Sequence, residues 1–336
     1  MRFVQFADAH GDPEAAVVHN GARYPLGVPM RQLIDDGLNS ALCRGEHAIA
    51  ESAPLASDVG GGALIPFQPS SFRDFMTFYE HTCGTSGTGV VSAEWYEQPV
   101  FYFSNTSTCV PGDGSMVAYP PGSEQLDFEA EVAAVITGRG TDLTVAEAAR
   151  HVFGYTILND WSARDTQLRE MRVGLGPAKG KDFATTIGPC IVTADEYGSR
   201  RTSDGRLDAD VRAYVNGHLL GADNLVNMSW RFEELIAHAS RGSAVDSGDI
   251  IGSGTAGNGG CLLELRSNHP DPPPYLSPGD EVRIEVDGLG SITNVVGYPT
   301  KAPKVGRARP PLRPRHAVDT ALFGVPAGHT YSEGRM

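Results

Sequence analysis

The chain has 336 residues, enough to bury a substantial core as one large domain with a small appendage or as two domains. Its 27 Lys and Arg face 41 Asp and Glu, and the resulting net charge of -14 repels phosphate backbones and anionic lipid heads. Nucleic acid and membrane surfaces are therefore poor partners, and a small molecule is the better one. No apolar run approaches the roughly 18 residues of a bilayer span, and the amino end MRFVQFADAH alternates like a strand without the apolar core of a signal peptide. Cys43, Cys83, Cys109, Cys190 and Cys261 show no CxxC spacing, and an odd count fits free thiols in a reducing compartment. The expectation is a soluble cytoplasmic protein with no zinc site.

In chain order, residues 1 to about 53 read as short strands and turns, followed by the Gly- and Pro-punctuated run Asp58 to Pro69. Three parts are expected: a small β-rich leading domain over 1–65, a main domain over 66–304, and a Pro/Arg-rich tail over 305–336. Leu126, Phe128, Ala130 and Val132 alternate with Asp127, Glu129 and Glu131, which predicts a strand with one apolar and one carboxylate face. Thr144 and Glu147 form a capping-box pair that predicts a helix over about 145–152, and a strand follows through Tyr155 to Leu158. Asn216-Gly217 predicts a hairpin, Phe232 to Ala239 a short amphipathic helix, and Val282, Ile284 and Val286 a further strand after Pro278-Gly279. Strands outnumber helices without regular βα alternation, so the fold class is α+β and β-rich.

Several residues could carry chemistry. Glu129 and Glu131, two apart on a strand, project from one face with Cα atoms about 6.5–7 Å apart and could close on one ion. The same spacing suits a solvated strand face. Asp160 ends the apolar run ILND, a ligand-like position that also suits a helix cap. Asp74 and His81 lie seven apart, on one face if that segment is helical. The glycine-rich Gly252 to Gly260 lacks the Lys-Ser/Thr of a phosphate loop and reads as an active-site rim. Gly84 to Gly87 reads as the flexible part of a lid.

The ordered blocks FRDF, EHxxG, LDFEAE, ILNDWSARDTQ, GKDFATTIGP, GSGT and CLLEL, from about residue 70 to 296, resemble the fumarylacetoacetate hydrolase family. The resemblance implies a β-roll-like main domain and a homodimer. By that resemblance Glu129, Glu131 and Asp160 match three core metal carboxylates, and Asp74 matches the fourth found in fumarylacetoacetases. Hard oxygen ligands favour Mg²⁺, with Mn²⁺ or Ca²⁺ as alternatives. His81 matches the catalytic base and Glu264 its orienting acid, while Lys181 serves catalysis and substrate binding. Tyr102, Arg164, Gln167, Thr185 and Thr255 match substrate-contacting positions.

The sequence also departs from the family pattern. Met76 replaces a Tyr, and Gly84 stands where relatives that hydrolyse acylpyruvates carry a Glu. The resemblance implies hydrolytic carbon-carbon cleavage of a β-diketone or 2,4-dioxo acid, a dicarbonyl acid of small size. Its alternative is an isomerase or decarboxylase of 2-oxo-hexenedioate or heptenedioate types from aromatic catabolism.

Overall fold

Short runs of β-branched and aromatic residues dominate the chain, and in the computed structural model, which describes residues 1–56 and 64–309, they assemble into two large sheets. Residues 58–63 of the expected linker and the tail from 310 lie outside the described residues. Met1–Lys301 form one compact unit, and the β-rich α+β class read from the sequence is the class observed.

The larger sheet has ten strands among the described residues. Its main path runs Ala22–Pro25, Pro13–His19, Arg2–Ala7, Thr185–Thr193, Val152–Asp160, Ala130–Ile136, Ile250–Gly252, Phe72–Phe75 and Phe101–Ser104. Cys109–Pro111 branches off by parallel pairing with Thr185–Thr193. The leading segment joins this sheet directly, with Arg2 opposite Val192 and Phe3 opposite Ile191. The second sheet is ordered His218–Asn224, Asp210–Val215, Glu281–Val286, Gly290–Pro299 and Asp113–Tyr119.

Ala130–Ile136 is buried along its whole length, which corrects the expected carboxylate face. Ala130, Val132, Ala134 and Ile136 pack into the larger core with Trp161, Leu235 and Ile284. Ala133 and Val135 pack on the opposite side with Phe3, Leu33 and Ile34. A strand covered on both faces cannot have a solvated row, so its acids must be compensated internally.

The expectation of only strands and turns in the leading segment is also corrected, because helices span Met30–Asp36 and Leu38–Glu51. The longer helix buries Ala41, Gly45 and Ala48. Residues so small give a weak apolar signal while allowing close packing. The predicted strand through Leu126 to Val132 breaks at Phe128 and Glu129, with Leu126–Asp127 pairing instead with Ser162–Ala163, while several other local signals matched local structure. Thr144 and Glu147 form a reciprocal capping box over Val145–Ala148, although the helix tightens into a 3₁₀ turn over Ala149–His151. Asn216 and Gly217 take φ values of 50° and 77° in the expected hairpin, and Phe232–Ser240 is helical.

Gly154 sits at a register shift between Val152–Asp160 and Ala130–Ile136. An added Cβ would run into the Val192 carbonyl oxygen of the adjoining strand. Gly154→Ala is therefore expected to destabilise the protein by about 2 kcal/mol or more, measured by denaturant unfolding. A loss below about 0.5 kcal/mol would show that the strands part easily at this point.

Candidate active site

Backbone pairing brings the sequence-distant acids together. Asp74, in Phe72–Phe75, lies opposite Tyr102 in the edge strand. Glu131 lies opposite Leu158, and Asp160, which ends the same long strand, lies opposite Thr185. Glu129 immediately precedes Ala130–Ile136, and its N–H donates to Asn159 Oδ1 at 3.0 Å. Asp74, Glu129 and Glu131 offer oxygens within 4.8 Å of one another, and all three side chains are buried. Asp74 thus arrives on a strand and His81 on the separate helix Tyr79–Thr85, so the helical spacing considered for the pair does not apply.

Two buried cations answer these acids. Lys181 Nζ donates to Glu129 Oε2 at 2.5 Å and to Asp160 Oδ2 at 2.8 Å. Arg164 donates from Nε to Asp127 Oδ2 and lies with Nη1 on Glu129 Oε1, both at 2.8 Å. Tyr102 donates its hydroxyl to Asp160 Oδ2. Gln167 accepts from Arg164 Nη1 at 3.0 Å, and Thr255 Oγ1 lies 3.4 Å from Glu131 Oε1. Thr185 is buried beside them, and its hydroxyl lacks a hydrogen-bond partner among the described residues.

Compensation is uneven. Burial pushes the Glu129 carboxyl up, but Lys181 and Arg164 outweigh it and hold the group down at about 2. Asp74 has no such partner. Burial first and the Asp160 charge second raise it from 3.8 to about 8. Burial and the Asp74 charge push Glu131 well above the usual carboxylate range. Asp160 is raised by burial, which the nearby Lys181 opposes.

Three buried oxygens point to what would complete the site. Asp74 Oδ1, Glu131 Oε2 and Asp160 Oδ1 have no hydrogen-bond partner among the described residues. Gly252 faces Asp74 Oδ1, and a Cβ there would fill the space in front of that oxygen. Five buried carboxylates (Asp74, Asp127, Glu129, Glu131 and Asp160) surround two buried cations, Lys181 and Arg164. A hard divalent cation fits this donor set, because it takes several oxygen ligands and offsets the surplus negative charge. Asp74, Glu129, Glu131 and Asp160 are the residues that could hold it.

His81 lies at the edge of this pocket, 6% exposed. Its Nδ1 is 3.5 Å from Glu264 Oε2, and Glu264 Oε1 accepts from the Gly259 N–H at 3.2 Å. The two helices Tyr79–Thr85 and Leu262–Asn268 meet at Gly84, where an added Cβ would lie 2.9 Å from Glu264 Cγ. Glu264 therefore occupies the room that a side chain at position 84 would need. The stretch Gly252 to Gly257 is buried, an inner wall instead of the expected rim.

Two neighbours were not singled out from the sequence. Asp127, fully buried, accepts from Arg164 and from the N–H groups of Phe128, Leu262 and Leu263. It ties the guanidinium to the start of the Glu264 helix. Cys261 is the thiol beside His81, with Sγ 3.7 Å from Nδ1. Asp127 shares the alternating pattern of Glu129 and Glu131, a signal that could have found it. The separation of 180 residues between His81 and Cys261 left no such signal.

Sheet-rich architecture and a buried pocket of converging carboxylates, cations and a histidine mark the chain as an enzyme scaffold. Residues 73–297 match the family described as fumarylacetoacetate (FAA) hydrolase C-terminal, and the chain belongs to the fumarylacetoacetate hydrolase family. The human protein named oxaloacetate tautomerase FAHD2A, mitochondrial, is 33% identical over 310 residues, covering 88% of this chain and 91% of that one. Oxaloacetate tautomerase YisK of Bacillus subtilis is 34% identical over 196 residues, 58% of this chain and 60% of that protein's length. In fold, the chain is similar to a maleylpyruvate hydrolase from Sphingobium solved with manganese(II) and pyruvate. That likeness has a TM-score of 0.66 at 22% identity and covers 89% of this chain and 100% of the other. Among the described residues no helix is long and apolar enough to cross a membrane.

A group whose pKa is raised on folding binds more protons folded than unfolded. Asp74 therefore weakens the chelator-stripped protein progressively as pH rises from about 4 to about 8. The difference in Tm between wild type and Asp74→Asn should widen in favour of the variant across that window, and saturating Mg²⁺ should close it by stabilising wild type. Parallel Tm curves for the two proteins, with and without Mg²⁺, would contradict this assignment.

Proposed function

We propose that this chain is a divalent-cation-dependent enzyme that interconverts the keto and enol forms of a small 2-oxo diacid of the oxaloacetate type. The observation that carries the reading is the cluster of unpartnered oxygens on Asp74, Glu131 and Asp160 beside the Lys181 bridge. Support for the substrate class comes from the relatives named oxaloacetate tautomerases. When bound, the cation supplies a Lewis acid that polarises a carbonyl oxygen.

The protein's own groups account for the remaining steps. Nδ1 of His81 faces Glu264 and Cys261, which leaves Nε2 to take the proton from the carbon beside the ketone and return it at oxygen. Glu264, close to Nδ1, stabilises the imidazolium formed in between. Arg164 Nη2 is buried without a hydrogen-bond partner among the described residues, so it has a donor to offer a substrate carboxylate. Lys181 keeps its proton, because Asp160 and Glu129 raise its pKa against the effect of burial. It acts as a fixed positive charge that offsets the substrate's negative charge. Arg164 and Lys181 thus recognise and hold an anionic dicarbonyl, while burial keeps bulk water away from the acidic carbon.

Hydrolytic carbon-carbon cleavage is the second reading, favoured by the same His81 and Glu264 pair, which could instead take a proton from water. Both readings need the base, but only cleavage consumes water. With Mg²⁺ or Mn²⁺ restored, the protein is expected to accelerate the relaxation of enol-oxaloacetate to the keto form, followed by ultraviolet absorbance. His81→Ala should lower kcat by about 10²- to 10⁴-fold, with cation affinity retained. Failure to accelerate that relaxation, together with solvent oxygen appearing in the fragments of an acylpyruvate, would replace tautomerisation with hydrolysis.

A further inference from the structure

His81, Cys261 and Glu264 form a second convergence of metal-ligating atoms, composed differently from the carboxylate pocket. Their ligand atoms lie within 4.8 Å of one another, and the three residues are 6%, 0% and 3% exposed. The His81 Nδ1 to Glu264 Oε2 separation of 3.5 Å is long for a hydrogen bond, and Oε2 has no hydrogen-bond partner among the described residues. Cys261 Sγ stands 3.7 Å from the same nitrogen.

Those spacings match a different kind of contact. Zinc binds nitrogen and oxygen at about 2.0–2.2 Å and sulfur at about 2.3 Å, usually with tetrahedral angles. Such bonds set nitrogen and oxygen about 3.4 Å apart, and nitrogen and sulfur about 3.6 Å apart. The observed edges, 3.5 and 3.7 Å, agree with both. A buried, unpartnered carboxylate oxygen aimed at the same point supplies the third ligand.

We propose that His81 Nδ1, Cys261 Sγ and Glu264 Oε2 form a zinc site separate from the carboxylate pocket, with a fourth position open to water. Thiolate and imidazole select zinc over the hard cations that suit Asp74, Glu129, Glu131 and Asp160. On binding, the Cys261 thiol gives its proton to solvent and its sulfur lone pair to the ion, while the His81 proton moves from Nδ1 to Nε2 so that Nδ1 can take the ion. One proton is released per ion. Zinc held there takes the lone pair of Nδ1 and the free oxygen of Glu264, so it inhibits turnover. The inhibition rests on the role proposed for His81, whereas the binding does not.

Cobalt(II), a spectroscopic stand-in for zinc, separates the two claims from activity. Added to the full chain in excess Mg²⁺, it should produce a thiolate-to-cobalt charge-transfer band that Zn²⁺ abolishes, with one proton released per ion. Cys261→Ser should remove the band, and Cys83→Ser should leave it intact. His81→Ala should weaken cobalt binding by more than the roughly 10- to 100-fold lost with a group that merely orients a ligand. A wild-type protein without the band, a band that survives Cys261→Ser, or one lost in Cys83→Ser would overturn the site. Inhibition by Zn²⁺ that persists in Cys261→Ser, with no cobalt band in wild type, would place zinc in the carboxylate pocket instead.

Discussion

Lys181 holds the centre of this molecule together. Its ammonium touches Glu129, at the start of one central strand, and Asp160, at the end of the next. Burying two carboxylates where neighbouring strands are covered on both faces is costly unless a cation is fixed between them. Arg164 extends the same network by joining Glu129 to Asp127, and Asp127 in turn accepts from the backbone of Leu262 and Leu263. The helix that presents Glu264 to His81 is thereby anchored to the group that compensates the acids.

That network satisfies only part of the charge it encloses. Glu129 is held low, while burial and the Asp160 charge push Asp74 up, and burial and the Asp74 charge push Glu131 up. A fold selected for stability alone would replace such acids with apolar groups. Their retention, together with the space in front of Asp74 left by Gly252, describes a site finished by a cation from outside. In the function proposed above, the surplus charge and His81 are parts of one device, in which Arg164 and Lys181 recognise an anionic dicarbonyl.

Much of this was legible in the sequence because it is local. Glu129 and Glu131 stand two apart in an alternating run, Asp160 closes an apolar run, and Asn216-Gly217 and Thr144 with Glu147 specify their own turns and caps. Other features depend on partners that no local pattern names. The helix Leu38–Glu51 hides its buried face behind Ala41, Gly45 and Ala48. The burial of both faces of Ala130–Ile136 follows from the leading segment packing on one side and the second sheet lying on the other. Cys261 reaches His81 only through the docking of two short helices at Gly84.

In the proposed function, the unpartnered oxygens of Asp74, Glu131 and Asp160 receive one hard divalent cation. Titrating chelator-stripped protein with manganese(II), followed by the electron paramagnetic resonance signal of the free ion, tests it most directly. One ion per chain should be taken up before the free signal appears, and Glu131→Gln should release it at far lower total manganese. A free signal that grows from the first addition in the folded wild-type protein would contradict the account.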